Sequence, residues 1–296
     1  MRRFWPSPGT TRGGFVLGLL LASGALLAAC TTYPDPETGI LPGRERLPLH
    51  AEPQPEAAPE TLEGASFLET FDGPHDPTRW TRSNLNYPSD FHPAWLSRHV
   101  HHTPGRLELE LARRRVDGKT LAGGEYQRRG FYHFGRYEVV MRAAPGSGTV
   151  SAMFTHTHGQ FGDPHDEIDI EFLGRDARMV TFNYYTDGRQ HGTIGIPVPY
   201  DTTREAHLYA FDWEPDRIRW YVNDTLVHTS TPEDHPIPQS PGRLILQVWS
   251  GGPGQYAWHG PPTFHNHTRA AYSCVSFQRA GDMAPQCSDT FVPPGD

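Results

Sequence analysis

Three carboxylates at alternate positions, Glu167, Asp169 and Glu171, have the clearest capacity for chemistry in this 296-residue chain. They interleave with Ile168, Ile170 and Phe172 in the segment Asp166-Glu-Ile-Asp-Ile-Glu-Phe-Leu173. Successive side chains of a β-strand leave on opposite faces. The apolar set can therefore face a core while the three acids line the other face, spaced at roughly 6.6 Å per two residues. Like charges on one face repel, and an ordinary solvated strand is expected to mix Lys, Thr or Ser among its acids. Glycoside hydrolysis has a use for such a pair: one carboxylate attacks, one carboxylic acid protonates the leaving oxygen, and in retaining enzymes the two lie about 5–5.5 Å apart. The backbones of Glu167 and Glu171 would be roughly 13 Å apart on an ideal strand. Their side chains must therefore lean together, helped by concave curvature of the sheet. Asp169 between them can hold or share a proton, which keeps the pair from ionising together and raises the pKa of the acid member. On spacing alone, a calcium-binding acidic cluster and a solvated strand stay open beside catalysis.

A strand carrying those acids needs a scaffold of strands, and the chain from about residue 61 onward reads as one. Short β-branched and aromatic runs are separated by Gly, Pro, Asp and Asn, with almost no sustained 3.6-residue period, which predicts an all-β sandwich. Alternation is plain in Arg106-Leu-Glu-Leu-Glu-Leu111, in Gly135-Arg-Tyr-Glu-Val-Val-Met-Arg142 and in Arg217-Ile-Arg-Trp-Tyr-Val222, the last followed by the turn signal Asn223-Asp224. Each fits a strand with one buried face. Trp213 and Trp220 are expected in the core. No internal repeat or second linker interrupts the run, so residues 61–296 read as one catalytic domain.

The segments Asp166-Glu-Ile-Asp-Ile-Glu-Phe-Leu-Gly-Arg-Asp176, Phe182-Asn-Tyr-Tyr-Thr-Asp-Gly188, His207-Leu-Tyr-Ala-Phe-Asp-Trp213 and Ile218-Arg-Trp-Tyr-Val222 resemble glycoside hydrolase family 16, in particular its bacterial lichenases. Gly124-Glu-Tyr126 and Gly135-Arg-Tyr-Glu-Val139 extend the resemblance, which covers about residues 66 to 278. It implies a β-jelly-roll of two curved antiparallel sheets with a concave substrate cleft, and a retaining mechanism. Glu167 would be the nucleophile, Asp169 its electrostatic helper and Glu171 the acid/base. The uninterrupted Glu-Ile-Asp-Ile-Glu is similar to the regular-strand branch of lichenases and xyloglucan-active enzymes rather than to the bulged-strand laminarinases. Hydrolysis of a mixed-linkage β-1,3-1,4-glucan or a related exopolysaccharide is the expected activity. Transglycosylation and a non-catalytic carbohydrate-binding envelope protein are the alternatives.

Sugar rings present apolar faces and hydroxyl rims, so a binding groove needs aromatic platforms and amide or carboxylate partners. The resemblance places Glu125, Gln127, Phe154, His165, Asn183, Tyr185, Gln247 and Trp249 in that groove, and alternation puts Asn183 and Tyr185 on one strand face. Packing in the core is the competing reading for Phe154 and Trp249. Three positions depart from the lichenase pattern: His165 stands where a Trp is usual, Gln127 replaces an Arg and Gln247 an Asn. A His in place of a Trp removes a platform and offers a hydrogen bond to a substituted sugar. Among the 17 histidines, His99, His101, His102, His156 and His158 invite a metal reading, yet no flanking Cys or carboxylate pattern completes a zinc site. No cofactor is expected. A structural calcium, which the resemblance raises, is doubtful because Ser273 stands where a last-strand carboxylate would be.

The chain ends carry a different message. Residues 1–29 combine Arg2, Arg3 and Arg12 with the apolar run from Phe15 to Ala29, the shape of a secretory signal. Leu27-Ala28-Ala29-Cys30 resembles a bacterial lipobox, which implies acylation at Cys30 and retention on a membrane of the cell envelope. Residues 30–60, with seven prolines after position 30 among acids and small residues, read as a tether. Loss of the signal removes three Arg and no acid, leaving 23 basic and 34 acidic residues, so there is no basic footprint for nucleic acid. The expected partners are a polysaccharide and, through the anchor, a membrane, with the protein acting as a monomer. With Cys30 acylated, Cys274 and Cys287 remain to form a disulfide, as an oxidising compartment permits.

Overall fold

The computed structural model describes residues 64–86, 92–157 and 163–294. The export signal, Cys30, the tether and His158 lie outside the described residues. The alternating segments become the strands β1 (Phe67–Glu69), β2 (Trp80–Arg82), β3 (Ala94–Trp95), β4 (Val100–Thr103), β5 (Arg106–Val116), β6 (Lys119–Arg128), β7 (Gly135–Arg142) and β8 (Val150–Thr157). They continue as β9 (Asp166–Leu173), β10 (Met179–Thr186), β11 (Arg189–Pro197), β12 (His207–Glu214), β13 (Arg217–Val222), β14 (Thr225–Ser230), β15 (Arg243–Trp249) and β16 (His267–Arg279). The main hydrogen-bonded path runs β11-β10-β9-β8-β15-β6-β5-β16-β7-β12-β13-β14. Its strands pair antiparallel throughout, and β3 adds a short parallel contact to β6 at Ala94↔Ala122.

The expected two-layer sandwich is present, with the layers joined at one edge. One layer holds β11 through β6 and the other β5 through β14; β5 and β6 connect them through Ala112↔Ala122 and Arg113↔Leu121. The layers are glued by aromatic side chains from their inner faces. Phe182 of β10 stacks on Trp220 of β13 (centroids 4.7 Å apart, planes at 18°), and Phe172 of β9 meets Tyr209 of β12 edge-on at 4.7 Å. Such pairs contribute about 0.5–1.5 kcal/mol beyond the area they bury. Trp213 and Trp220 are fully buried, as expected from their strands.

Turn chemistry holds the register. Asp117-Gly118, Asp187-Gly188 and Asn223-Asp224 each have two positive φ values and close two-residue hairpins at Val116↔Lys119, Thr186↔Arg189 and Val222↔Thr225. This mirror-image turn matches the right-handed twist of the strands, and Asn, Asp and Gly tolerate it best. Past β16 the chain folds back, and the Cys274–Cys287 disulfide, with Cα atoms 5.8 Å apart, fastens it to the second layer.

Candidate active site

On β9 the apolar side chains Ile168, Ile170 and Phe172 are buried between the layers. Each contributes about 1.5–3 kcal/mol by leaving water, and a one-residue slip of the strand would forfeit all three. That penalty fixes Glu167, Asp169 and Glu171 on the outer face. Antiparallel pairing then sets each acid in a row of cross-strand neighbours. Glu167 lies between Tyr185 of β10 and His156 of β8. Asp169 lies between Asn183 and Phe154, and the row continues to Ile245 of β15 and Gln127 of β6. Glu171 lies between Thr181 and Ala152, followed by Gln247 and Glu125. The rows set Phe154, Asn183 and Tyr185 directly beside the acids, and carry Gln247, two strands from β9, and Glu125 and Gln127, three strands from it, in the same rows. His165 precedes β9 by one residue, and Trp249 is two residues beyond Gln247 on the same face.

The floor of this face is a hydrogen-bonded chain that no local sequence pattern announces. Glu125 Oε1 accepts from Ser83 Oγ at 2.6 Å and from Gln127 Nε2 at 2.7 Å. The Gln247 amide, oriented to satisfy both its ends, donates to Glu125 Oε2 and accepts from Trp249 Nε1, each at 3.2 Å. Trp249 is wedged with Trp95 and Val150, against which Trp258 also packs. Phe154 forms a small cluster with Ala152 and Ile245, separate from the main core. Phe154 and Trp249 are both buried, in these outer-face clusters and not in the main core. Ser83, Trp95 and Trp258 are the residues that sequence reasoning left out of the site, and His156, raised from the sequence only as a possible metal ligand, joins them beside Glu167. Long-range pairing or an irregular loop places each of them.

His165 departs from expectation in a specific way. Its Nε2 hydrogen-bonds to Glu167 Oε2 at 2.9 Å, and its ring stacks on Tyr185 with centroids 5.0 Å apart and planes at 19°. The nitrogen expected to reach toward a substituted sugar is engaged by the carboxylate. His156 Nε2 lies 3.6 Å from the same oxygen.

These contacts separate the acids electrically. Burial pushes Glu167 up, but the His165 hydrogen bond, the His156 charge and a hydrogen bond from Asp169 outweigh it and hold its pKa below the ordinary carboxylate value. Burial, together with the charges of Glu167 and Glu171, pushes Asp169 well above its ordinary value. Burial first, and the Glu167 charge second, pushes Glu171 up to about 8. Near neutral pH one end of the row is an anion and the other a neutral acid, with a protonated aspartic acid between them. The His165 hydrogen bond to Glu167 in turn raises the histidine's own pKa.

A family model for glycosyl hydrolases family 16 matches residues 87–269. The chain belongs to this family. It is 36% identical to a beta-glucanase of Brevibacillus brevis over 220 residues, which is 73% of this chain and 82% of the relative. The beta-glucanase structure from Bacillus licheniformis superposes with a TM-score of 0.68 at 35% identity, covering 73% of this chain and 99% of that one. A lichenase structure from a mouse hindgut metagenome gives 0.68 at 32% identity, with 72% and 99% covered. The family 16 chain is thus a glycoside hydrolase with a jelly-roll fold. At the position raised for calcium, Ser273 offers a hydroxyl, which donates to the Val140 carbonyl at 3.4 Å. His99 and His101 converge on Glu110, at 3.9 and 3.2 Å, where Arg269 also binds. Burial lowers the His99 pKa, so the cation that Glu110 meets here is the Arg269 guanidinium.

Proposed function

We propose that this family 16 hydrolase is a retaining, endo-acting β-glucanase whose substrate is a mixed-linkage β-1,3-1,4-glucan or a related exopolysaccharide. The observation that carries the reading is that Glu167, Asp169 and Glu171 share one strand face, with His165 hydrogen-bonded to Glu167 at 2.9 Å and no such partner at Glu171 among the described residues, an asymmetry that favours an anion at the first and an acid at the second. In this scheme Glu167 attacks the anomeric carbon while Glu171 gives its proton to the leaving glycosidic oxygen, and a covalent glycosyl-enzyme forms. Glu171, now a carboxylate, takes a proton from water, which releases the sugar from Glu167 with overall retention. Asp169, held protonated by burial and the flanking acids, donates its hydrogen bond to Glu167 and adds no further negative charge beside Glu171 when that group ionises. Glu125, Asn183, Gln247 and Trp249 bind sugar hydroxyls and ring faces. The names of the relatives support the β-glucan class.

Product analysis from barley β-glucan, lichenan, laminarin, xyloglucan and succinoglycan tests the substrate. The expected result is short oligosaccharides from mixed-linkage glucan with laminarin nearly untouched, and absence of any β-glucan cleavage would sink the assignment. Transglycosylation would appear in the same assay as products longer than the added acceptor. Azide added to Glu171→Ala should give a β-glycosyl azide, because the anion enters on the face vacated by the acid/base. An α-azide would reverse the two roles. We further propose that the protein is exported and held on the envelope through acylated Cys30. Cys30→Ala should then accumulate as precursor or wash off membranes, and a processed variant that resists high salt would refute the anchor.

A further inference from the structure

The register that places His156 beside Glu167 also assembles three ligand atoms of the type that borderline transition metals prefer. His156 Nε2, His165 Nε2 and Glu167 Oε2 all lie within 4.8 Å of one another. The two histidine-to-carboxylate separations are 3.6 and 2.9 Å. Ligands bound to zinc at about 2.0–2.1 Å in a tetrahedron are roughly 3.3 Å apart, and the observed pair brackets that spacing. The imidazole planes meet at 58° with centroids 5.0 Å apart, so the two rings converge instead of stacking. Tyr185 backs the His165 ring, and the backbone on both sides is tied down, since the Gly188 N–H donates to the His165 carbonyl at 2.8 Å. All three side chains keep partial exposure, between 18% and 33%, which leaves an approach for an ion and a fourth ligand. Two imidazoles and one carboxylate with an open position form a donor set that zinc takes in proteins, and imidazole favours zinc, cobalt, nickel or copper over magnesium and calcium.

We propose that His156, His165 and Glu167 form an inhibitory site for a divalent transition metal ion of the zinc class. Binding occupies the Glu167 oxygen and blocks its attack on sugar. The inhibitory half rests on the function proposed above, while binding of the ion does not. Cobalt(II) is a suitable probe, because its visible absorption reports low-coordinate nitrogen and oxygen ligation without reference to catalysis. Titration of the untagged, chelator-treated full chain should give one saturating cobalt equivalent that zinc displaces. His156→Gln and His165→Gln should each weaken it by about tenfold or more. Circular dichroism checks the fold of each variant, and His156→Gln decides the matter if His165→Gln fails to fold. In a β-glucan assay, zinc should inhibit reversibly at concentrations that track the cobalt affinity, and each variant is compared with its own metal-free rate. Lack of a cobalt spectrum up to about 1 mM, or unchanged affinity in folded His156→Gln, would overturn the site. Binding without inhibition in an active enzyme would overturn the inhibitory role. An enzyme inactive on every glucan would count against the proposed function alone, since the cobalt titration still reads the site.

Discussion

At the scale of single residues, the decisive feature is that chemically similar side chains four positions apart titrate in opposite directions. Glu171 is pushed to about 8 by burial and by the Glu167 charge, whereas Glu167 has histidines to stabilise its anion. As a general acid Glu171 works only while protonated, so kcat/KM should fall as pH rises through about 8. A plateau extending two units higher would remove Glu171 from that role. The same shift bears on stability. A carboxyl group with a folded-state pKa above its unfolded value binds more protons folded than unfolded between the two, so stability declines across that interval as pH rises. The interval here runs from the ordinary value of 4.5 to about 8, and the accumulated cost above it is on the order of 5 kcal/mol. Glu171→Gln, which carries no charge to desolvate, should therefore abolish turnover and raise Tm, with a small gain at pH 5 and a larger one at pH 8. Glu167→Gln should also lose activity, by about 10⁴-fold, but without that pH-dependent rise in Tm. Thermal scans of both variants at the two pH values separate the cases. The three acids, their shared face and the need to split their pKa values were legible from alternation alone. The identity of the ionised member was not, because His156 and His165 decide it, and the register that seats His156 there is non-local.

At the scale of elements, the site depends on how the start of β9 is anchored. Asp166 is buried, and its two oxygens accept three backbone N–H groups: Asp187 at 3.0 Å, Gln239 at 2.9 Å and Ser240 at 3.0 Å. One carboxylate thereby joins β9 to the β10–β11 hairpin and to the segment leading into β15. Although Asp166 belongs to the motif, its spacing marks it only as a flanking acid on the opposite face from Glu167. Its partners come from 21, 73 and 74 residues away, which is why no sequence pattern exposes the role. Removing the acceptor strands donors at about 1–3 kcal/mol for each that water cannot reach. Asp166→Ala should lower stability by about 2–4 kcal/mol and reduce kcat more than it changes KM, since it loosens the catalytic strand and leaves the sugar-binding row in place. Asp166→Asn should recover part of both, because one amide oxygen can still accept. A variant with normal kcat at 25 °C would show that β9 is held by core packing alone. The hairpins were easier to read. Asn223-Asp224 was recognisable as a turn because it ends the alternating run Arg217–Val222, and its two positive φ values follow from the strand twist it must serve.

At the scale of the whole molecule, an all-β sandwich followed from the density of short alternating runs. The edge connection between its layers did not, because pairing of β5 with β6 across a tight turn is compatible with either an open or a joined sandwich. The layers divide the labour. Glu167, Asp169 and Glu171 stand on one, and the Cys274–Cys287 bridge stands on the other, in a cluster with Val140 and Leu208. Communication between them runs through the core, where Tyr272 of β16 places its hydroxyl 3.1 Å from the Ala152 carbonyl and 3.0 Å from that of Gln247. Cys274 points away from that contact, toward the returning C-terminal segment. Closing a loop across a separation of 13 residues contributes about 3 kcal/mol in the chain-entropy model. The real loss on opening it should be smaller, since the segment keeps other ties: Ser288 N–H and Oγ donate to Glu138 at 2.8 and 2.9 Å, and Cys287 N–H to Ser276 Oγ at 3.1 Å. The double variant Cys274→Ser, Cys287→Ser should therefore melt several degrees lower, up to about 10 °C for a domain of this size, while kcat at 25 °C stays within about twofold. Differential scanning calorimetry alongside initial rates checks both halves. A rate that falls in step with Tm, measured well below the transition, would mean that the Tyr272 contact transmits the second layer's loosening to β8 and β15, and that the two layers act as one unit in positioning the acids.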